Sequence, residues 1–235
     1  MGSTDEWLYE LRLYTIAPGR LGDMADRFRN ELGTLFPRHG VHPLAGWTAT
    51  AGAGMPKFVY LMPWRDLGQR ARALASFAAD PDWAEARART NGPSELVERF
   101  DIHLLKAIAP LRDIPQGAGD VGAVYELAIQ SMANGHVAAA RQTLLEVELP
   151  ACVRAGAVLA GAFEMIFGTG LPAAVSLLEW PDHAARASGM AAVEADAALR
   201  EARSAQLAEH GRCLLGQADR YLLDVVAVQW AGSAQ

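Results

Sequence analysis

The clearest hydrophobic pattern in the chain starts at Tyr9 and repeats every two residues. The odd positions carry apolar or aromatic side chains, whereas the even positions carry Glu10, Arg12 and Tyr14. Since successive side chains of a strand point to opposite faces, this pattern predicts a β-strand with one apolar and one polar face. An acid, a guanidinium and a phenol in a row suit a lined cavity as well as a wet surface.

After Pro18-Gly19 the pattern changes to steps of three and four residues. This spacing predicts a helix over residues 20–35, because such positions share one face of a helix. Its apolar stripe consists of Leu21, Met24, Phe28, Leu32 and Leu35. Gly40 follows where a left-handed helix stop is expected.

The rest of the first hundred residues predicts two further strands, a helical region and a fourth strand. The strands span about 44–51, 58–64 and 100–109. Asp66 and Asp80 are placed to cap helices, and Asp80 is followed by proline at the first helical position. The resulting order is β-α-β-β-α-β, the ferredoxin-like order.

A shift of 116 positions (125 minus 9) aligns the chain with itself. It places Tyr9-Glu10-Leu11 on Tyr125-Glu126-Leu127 and continues without a gap to at least Arg87. Other identical pairs are Gly19 with Gly135, Arg38 with Arg154, Gly40 with Gly156, Trp64 with Trp180, Asp66 with Asp182, and Arg70 with Arg186. Self-similarity over such a length indicates an internal repeat.

The second copy predicts the same series of elements after a linker at Pro110 to Asp120. These are a strand at 124–130, a helix at 135–149, a hairpin of 158–167 with 173–180, a helical stretch at 182–211 and a last strand at 221–230. We therefore expect an α+β protein with ferredoxin-like units at residues 7–110 and 121–231. One unit alone leaves a sheet face uncovered, so we expect the two to pair as an α+β barrel within the chain.

Composition restricts the class of protein and its partners. The 235 residues are 51% hydrophobic and 20% charged, with a net charge of −6, as in an ordinary soluble protein. We expect neither nucleic acid nor a membrane as a partner, since both select basic surfaces. Residues 1–6 lack the apolar core of a signal peptide, and the isolated Cys152 and Cys213 fit a reducing compartment. These features predict a cytoplasmic location.

Several sequence motifs of known chemistry do not occur. We find no Gly-rich dinucleotide fingerprint, no phosphate-binding loop, no nucleophile elbow and no paired Cys-x-x-Cys. Nucleotide cofactors and serine-hydrolase chemistry are therefore not expected.

The first unit resembles the NIPSNAP family of the dimeric α+β barrel superfamily. The resemblance is carried by Tyr-Glu-Leu-Arg-x-Tyr-Thr-x-x-Pro-Gly at residues 9–19, His39-Gly40, Gly46-Trp47, Trp64, Arg70 and Asp80-Pro81-x-Trp83. It implies ferredoxin-like units paired into a barrel, often in tandem, and the second unit looks like a diverged copy. It implies no single reaction. Eukaryotic members look like trafficking or mitochondrial-signalling proteins, while the wider superfamily includes cofactor-independent oxygenases, isomerases and haem enzymes.

The two copies differ at positions that we expect to face the barrel interior. Arg12 and Tyr14 of the first copy correspond to Ala128 and Gln130 of the second. Polar and aromatic side chains are thus concentrated in the first copy, which favours a working cavity there. An equally simple interpretation is that large side chains of one half fill space left by small ones of the other, since the interior of a small barrel is often packed.

Three residues are the predicted catalytic groups of such a cavity. Arg12 would hold a carboxylate, carbonyl or enolate oxygen, and Tyr14 would donate to an oxyanion. His39 would act as a general base near neutral pH. Structural roles are also open: Arg12 can form a salt bridge with Glu10 or Glu126, and a histidine at a helix end is favoured by the helix dipole.

Five further residues are expected to contact the substrate. Tyr60 and Trp64 would form a wall and Trp47 would stack on a flat molecule, although core packing explains such aromatics equally well. His103 is the best candidate ligand if haem binds, but otherwise no cofactor is expected. Glu164 lies among apolar residues and should either pair with the first-strand guanidinium or have a raised pKa. No histidine cluster has the ligand count of a zinc site, so no metal is expected.

These features support two functional hypotheses. The first is a barrel that binds a small, largely apolar organic molecule and possesses cofactor-independent chemistry such as isomerisation, oxygenation or carbon–carbon rearrangement. The second is a non-catalytic assembly module whose outer helices bind a protein partner. Self-association into a homo-oligomer is compatible with either hypothesis.

Overall fold

A computed structural model describes residues 7–114 and 122–231 of the chain. Eight antiparallel strands form its centre: β1 (Leu8–Ile16), β2 (Ala45–Ala51), β3 (Lys57–Trp64), β4 (Val97–Ala107), β5 (Val124–Met132), β6 (Val158–Phe167), β7 (Ala173–Trp180) and β8 (Leu215–Val225). They close into a barrel in the order β1-β3-β2-β8-β5-β7-β6-β4. The fold is therefore a mixed α+β structure with an eight-stranded antiparallel barrel.

The helices form two groups, one in each half of the chain. They are α1 (Leu21–Arg27), α2 (Gly33–Arg38), α3 (Leu67–Ala78), α4 (Pro81–Asn91), α5 (Val137–Thr143), α6 (Leu149–Arg154), α7 (His183–Ala195) and α8 (Ala197–His210). A π-helical turn joins α1 to α2 at Phe28–Leu32, and another joins α5 to α6 at Leu144–Glu148. The predicted helices at 20–35 and 135–149 are thus continuous rods with one wider turn each.

The strand order is the same on the two sides of the barrel. One side reads β4-β1-β3-β2 and the other reads β8-β5-β7-β6, and the sides join through β2 with β8 and β4 with β6. Strands β1 and β5 begin at Leu8 and Val124, which lie 116 positions apart, and the starts of β3 and β7, Lys57 and Ala173, are separated by the same offset.

Several predicted elements have other bounds in the structure. The helix predicted at 135–149 continues to Arg154, and the strand predicted at 100–109 is β4, Val97–Ala107. The last strand was predicted at 221–230, but β8 spans Leu215–Val225. The predicted helical stretch at 182–211 is divided at Asp196, whose carboxylate accepts a hydrogen bond from the backbone N–H of Leu199 at 3.0 Å and caps α8. A cap at this position ends one helix and starts the next.

The barrel interior is packed with apolar side chains. Leu11, Leu13 and Trp47 point into it, and the remaining void has a volume of about 10 Å³. A void of this size is at the lower limit for one water molecule. The structure therefore favours the filled interior over a central ligand cavity.

The polar face of β1 lies on the outside of the barrel, beneath the helices. Tyr14 and Tyr60 pack with Met24 and Phe28 of the α1 region, not with the barrel core. The prediction that Arg12 and Tyr14 face the interior was wrong, because both faces of this strand are covered and the alternation alone does not say which one faces the barrel. Gly46 has a steric role here, since a Cβ at this position would lie 2.4 Å from the ring of Phe28.

The segment after β4 covers one end of the barrel. Backbone N–H groups of Ile108 and Arg112 donate to the carbonyls of Ala162 and Ala160 at 2.9 and 3.0 Å. Ile114 then packs against the barrel core. Residues 115–120 of the predicted linker lie outside the described residues.

Candidate active site at the barrel mouth

A recess of about 1070 Å³ opens at the barrel end where β1 begins and β3 ends. Its lining residues are Trp7, Tyr9, Gly40, His42, Pro43, Leu44, Pro63, Arg65, Asp66, Gln69, Arg72, Leu111, Arg112, Asp113 and Ile114. They come from the start of β1, the loop before β2, the end of β3, the start of α3 and the segment after β4. We call this recess the mouth pocket.

Tyr9 combines a buried ring with a hydroxyl group that has no protein partner in the described ranges. The side chain is 5% exposed, and its ring packs edge-on against Phe163 with 5.2 Å between the ring centroids. Burial raises the pKa of Tyr9 above its ordinary value, so the phenol keeps its proton. No described residue forms a hydrogen bond with this hydroxyl. Tyr9 therefore presents a phenolic hydroxyl, able to donate a hydrogen bond, in the lining of the pocket.

The matching tyrosine of the second half has a hydrogen-bond partner for its hydroxyl group. Tyr125 lies 116 positions after Tyr9, and its hydroxyl donates to a carboxylate oxygen of Glu179 at 3.1 Å. The position that matches Glu179 in the first half is Pro63, whose side chain has no acceptor and lines the mouth pocket. A difference at one strand position thus leaves Tyr9 unpaired while Tyr125 is paired.

The charged side chains of the mouth pocket differ in the interactions that they make with the rest of the protein. The guanidinium of Arg65 lies 5.9 Å from the ring centre of Trp7, and Arg112 forms an ion pair with Glu179 at 3.0 Å. Asp66 accepts a hydrogen bond from the backbone N–H of Gln69 at 2.7 Å and caps α3.

Arg72 makes no ion pair, side-chain hydrogen bond or ring contact with the described residues, and the Arg65 side chain has the ring contact with Trp7 but no ion pair or hydrogen bond there. Three arginines and two aspartates line the pocket; since Arg112 is paired with Glu179, the charges of the remaining two arginines and two aspartates balance.

A second polar cluster lies between the sheet and the helices. Glu10 is fully buried and accepts hydrogen bonds from Arg12 Nε at 2.8 Å, from Arg70 Nε at 2.7 Å and from the indole N–H of Trp64 at 2.8 Å. Burial alone would raise the pKa of Glu10, but the hydrogen bonds and charges of Arg70 and Arg12 hold that pKa below its ordinary value. The carboxylate is therefore ionised, and the cluster is a buried ion-pair network.

Four of the predicted site residues meet in this cluster, namely Trp64, which donates to Glu10, and Arg12, Tyr14 and Tyr60. Arg12 Nη1 donates to the hydroxyls of Tyr14 at 2.7 Å and Tyr60 at 3.2 Å, and the Tyr60 hydroxyl donates to that of Tyr14 at 2.6 Å. Burial raises the pKa of Tyr60 well above its ordinary value. The Arg12 guanidinium is engaged with Glu10 and both phenols, so the salt bridge predicted as its structural alternative is present.

His39 lies elsewhere and does not join Arg12. Its Nδ1 lies 2.8 Å from the Ser76 hydroxyl and its Nε2 lies 2.7 Å from an Asp80 carboxylate oxygen. The hydrogen bond from His39 is the main cause that lowers the pKa of Asp80. The hydrogen bonds of His39 with Ser76 and Asp80 connect the end of α2 to α3 and to the cap of α4. This arrangement is typical of a structural role. A base role for His39 stays a prediction.

Trp47 and His103 lie on the interior face of the barrel or at its rim. Trp47 is 1% exposed, and its indole N–H has no partner among the described residues. His103 is 5% exposed, its Nδ1 has no partner in the same ranges, and burial lowers its pKa. A Cβ at Gly168 would lie 2.3 Å from this Nδ1, so the backbone closes that side of the ring. Stacking by Trp47 and haem ligation by His103 stay predictions.

Glu164 does not reach Arg12. It lies on the outer face of β6 opposite Lys106, and it accepts a hydrogen bond from Arg141 of α5 at 3.1 Å. The prediction that Glu164 pairs with Arg12 was wrong, because β4 separates β6 from β1 and the carboxylate is held by a helix of the second half.

Sequence reasoning missed the mouth pocket. Tyr9 was assigned to the apolar face of β1, where it lies, but its free hydroxyl depends on the residue across the strand pair, Pro63. A comparison of this partner with its counterpart Glu179 in the second half was the available signal. Trp7 and Arg72 showed no pattern in the sequence that sets them apart.

Among the described residues, no group of three histidine, cysteine or acidic side chains could hold a metal ion. Within residues 7–114 and 122–231, every helix is too short or too polar to cross a lipid bilayer.

Comparisons with known proteins agree with this architecture. The family model described as NIPSNAP matches residues 9–110. The comparison with curated proteins finds no match.

Solved structures resemble the whole chain at low sequence identity. A candidate monooxygenase from Fusobacterium nucleatum has a TM-score of 0.59 at 9% identity, with 97% of this chain and 96% of that chain covered. One from Lactobacillus acidophilus has a TM-score of 0.55 at 12% identity, with 96% and 97% covered. An anthrone oxidase-like protein has a TM-score of 0.56 at 13% identity, with 100% and 99% covered. At such identities the likeness concerns the fold. The resemblance to NIPSNAP proteins predicted from the opening motif is confirmed, since the NIPSNAP family model matches residues 9–110.

Proposed function

We propose that this protein binds a small, largely apolar organic molecule in the mouth pocket, with Tyr9 donating a hydrogen bond to an oxygen atom of that molecule. The observation that carries the proposal is the unpaired phenol of a 5% exposed tyrosine in the lining of a recess of about 1070 Å³. The ring of Tyr9 is buried while its hydroxyl is open to the recess, so this hydroxyl can donate a hydrogen bond to an acceptor of a bound ligand.

The pocket has the character of a small-molecule site. Its volume is at the upper end of the usual range for ligand pockets, and such pockets combine apolar walls with a few polar groups. Trp7, Leu44, Leu111 and Ile114 supply apolar surface beside the Tyr9 hydroxyl. Two structural neighbours are named as candidate monooxygenases and a third as an anthrone oxidase-like protein; anthrone is an aromatic ketone, and this name motivates the choice of a carbonyl compound as the ligand to test.

The same geometry supports cofactor-independent chemistry. A hydrogen bond from Tyr9 to a carbonyl oxygen stabilises the enolate that forms when a neighbouring carbon loses its proton. His42, the histidine in the pocket lining, is the group that would take this proton. Return of the proton to another carbon completes an isomerisation, whereas reaction of the enolate with dioxygen begins an oxygenation.

The domain organisation belongs to the proposal as well. We propose two ferredoxin-like units, at residues 7–110 and 121–231, that arose by duplication. The matching strand orders and the common offset of 116 residues support it. We also propose a cytoplasmic location, which the two free cysteines support.

Binding of a neutral aromatic ketone tests the proposed function. We expect 2-acetonaphthone to bind the full chain by titration calorimetry and Tyr9→Phe to weaken this binding about fivefold, since one hydrogen bond is worth about 1 kcal/mol. Tyr125→Phe is the matched control and should leave the affinity unchanged. The proposal is wrong if a panel of such bicyclic ketones fails to bind below millimolar concentration, or if both variants behave alike.

Self-association is the second candidate function, and one observation favours it. Phe100, Ile166 and Phe167 are 58, 46 and 66% exposed on β4 and β6, which pair with each other. Large exposed apolar side chains often mark an interface. Light scattering of Phe167→Ser against the unchanged chain tests it, and an unaltered molar mass speaks against this surface.

A further inference from the structure

We infer that the ligand of the mouth pocket carries a carboxylate or a comparable planar anion, which Arg72 binds. This inference rests on the proposed function and narrows its ligand to an organic anion with an apolar body. Two observations support it: the interaction partners of the charged side chains in the pocket, and the comparison of these side chains with the matching positions of the second half.

Arg72 is the arginine of the pocket that the protein leaves without a partner in the described residues. Arg65 lies against the Trp7 ring, and Arg112 is neutralised by Glu179 at 3.0 Å. A guanidinium presents a planar set of donors that matches the two oxygens of a carboxylate. Arg72 therefore offers an anion-binding group at the wall of the same recess that contains the Tyr9 hydroxyl.

Neither aspartate of the pocket lining forms an ion pair with Arg72. Asp66 is used at the amino end of α3, where it accepts the Gln69 N–H at 2.7 Å. The helix end itself favours that negative charge. Because Arg112 is paired with Glu179, two arginines and two aspartates of the lining remain and their charges balance. The preference for an anion therefore rests on the unpaired guanidinium of Arg72 and not on a net charge of the pocket.

Comparison of the halves separates arginines of the fold from arginines of the pocket. Arg70 of α3 binds Glu10, and the matching Arg186 of α7 binds Glu126 at 2.8 Å, so both halves keep this pair.

The pocket residues are not kept in the second half. At an offset of 116, Trp7 corresponds to Ala123, His42 to Val158, Arg65 to Pro181 and Arg72 to Ser188. A helix of the same fold thus forms without an arginine at the Arg72 position, which indicates that Arg72 serves the pocket and not the fold.

Tyr9 and Arg72 define two different requirements of the ligand. The phenol donates a single hydrogen bond to any oxygen acceptor, neutral or charged. The guanidinium adds affinity only for an anion, because its hydrogen bonds to a charged acceptor are about twice as strong as neutral ones. A carboxylate on an aromatic or aliphatic body satisfies both groups, whereas a neutral ketone satisfies Tyr9 alone.

A pair of ligands with the same ring system tests the inference. The probes are 2-naphthoate and 2-acetonaphthone, which differ in charge but little in size. We expect the unchanged chain to bind 2-naphthoate about tenfold more tightly, a preference that should shrink between about 50 and about 500 mM salt because Arg72 is exposed to screening. In Arg72→Gln the preference should disappear while the affinity for 2-acetonaphthone stays the same.

The control is Arg200→Gln, since Arg200 is an exposed helical arginine of the second half. It should behave as the unchanged chain with both probes. If neither probe binds, the proposed function itself fails. If both probes bind equally, or if the preference for 2-naphthoate persists in Arg72→Gln, a neutral-ligand pocket remains and the inference is overturned.

Discussion

At the scale of single residues, the buried carboxylates Glu10 and Glu126 show which polar groups hold the fold together. Both are fully buried, and each binds two arginines. The second arginine is Arg12 on β1 in the first half but Arg220 on β8 in the second, where it lies across from Ala128. The guanidinium has changed strands while the ion pair persists. Persistence of the pair, and not of the position, indicates a structural role for Arg12.

Glu10→Gln should therefore destabilise the protein. The substitution keeps the shape of the side chain but leaves two guanidinium groups without their counter-charge. Breaking a buried ion pair in this way costs about 3 kcal/mol in the free energy of unfolding, somewhat less where the partner is partly exposed, as Arg70 is. Urea denaturation followed by circular dichroism measures it.

The matched control for this substitution is Asp26→Asn. Asp26 pairs with Arg29 at 2.7 Å in an exposed position of the helix. Exposed pairs contribute about 0.5 kcal/mol, so this variant should unfold almost as the unchanged chain does. If the two variants lost the same free energy of unfolding, the buried ion pairs of Glu10 would contribute no more to stability than an exposed pair.

His103 should make the protein sensitive to mild acid. Burial lowers the pKa of His103 in the folded state, so the unfolded chain binds the proton more readily. Stability is then lost as the pH falls below about 6.5, the ordinary pKa of histidine. His103→Leu removes both this proton and the buried Nδ1, and it should lose less unfolding free energy than the unchanged chain between about pH 7 and about pH 5.

Urea denaturation at the two pH values measures this difference. The exposed His136 supplies the control, since His136→Gln should lose as much stability as the unchanged chain. If His103→Leu lost as much unfolding free energy between the two pH values as the unchanged chain and His136→Gln, His103 would not be the cause of the acid sensitivity.

At the scale of elements, alternation and capping residues predicted most strands and helices but not their faces. The hairpin at 158–167 and 173–180 was placed correctly, because apolar runs and turn residues coincide there. The start of β8 was missed. Its residues 215–220 alternate weakly, and they are extended because β5 pairs with them. Such pairing depends on distant residues, so a local pattern cannot reveal it.

The candidate site was harder to predict than the fold for the same reason. Arg12 and Tyr14 looked like site residues because polar groups stood out on a strand, yet helices cover them. Tyr9 looked like a core residue. Its hydroxyl is unpaired because the residue opposite it on β3 is Pro63, which has no side-chain acceptor. The distinction lies in register and in closure of the barrel, which the sequence does not display.

The contact between α7 and β7 yields a prediction at this scale. Gly189 of α7 packs against Trp180, and a Cβ there would lie 2.2 Å from the ring. Alanine normally favours a helix over glycine by about 1 kcal/mol, but overpacking costs about 1–3 kcal/mol. Gly189→Ala should therefore lower the midpoint of thermal unfolding.

Gly22→Ala is the control for this helix. Gly22 lies in α1, and a Cβ added there would meet no atom within 4 Å, so the propensity gain is unopposed. The substitution should leave the midpoint unchanged or raise it. A rise in both variants would mean that the Trp180 ring moves aside at little cost.

At the scale of the whole molecule, the two halves are similar in strand order but are completed by different segments. The chain after β8 covers the first half, where Val226 and Ala231 donate backbone hydrogen bonds to Gly46 and Gly33 at 2.8 and 3.0 Å. The chain after β4 instead follows β6 and brings Leu111 and Ile114 to the mouth pocket. The connection between the halves thus makes the barrel asymmetric at its ends, and it places the candidate site beside the first half.

The way in which the barrel closes leads to a prediction for the first half alone. Strand β2 pairs with β8, and β4 pairs with β6. Strand β8 is the edge strand of the second sheet that corresponds to β4 of the first sheet. In a dimer of the first half, β2 of each copy could therefore pair with β4 of the other copy. We therefore expect residues 1–114, expressed alone, to form a homodimer that closes the barrel.

Light scattering after size-exclusion chromatography checks this expectation across a dilution series. Open strand edges expose unpaired backbone groups, and the apolar barrel face would be in water in a monomer, so folding and dimerisation should be lost together on dilution. Circular dichroism on the same samples reports the folding. A fragment that keeps its β-structure while its mass is that of a monomer would contradict the prediction, because one four-stranded sheet with its helices would then be stable without a partner to cover it.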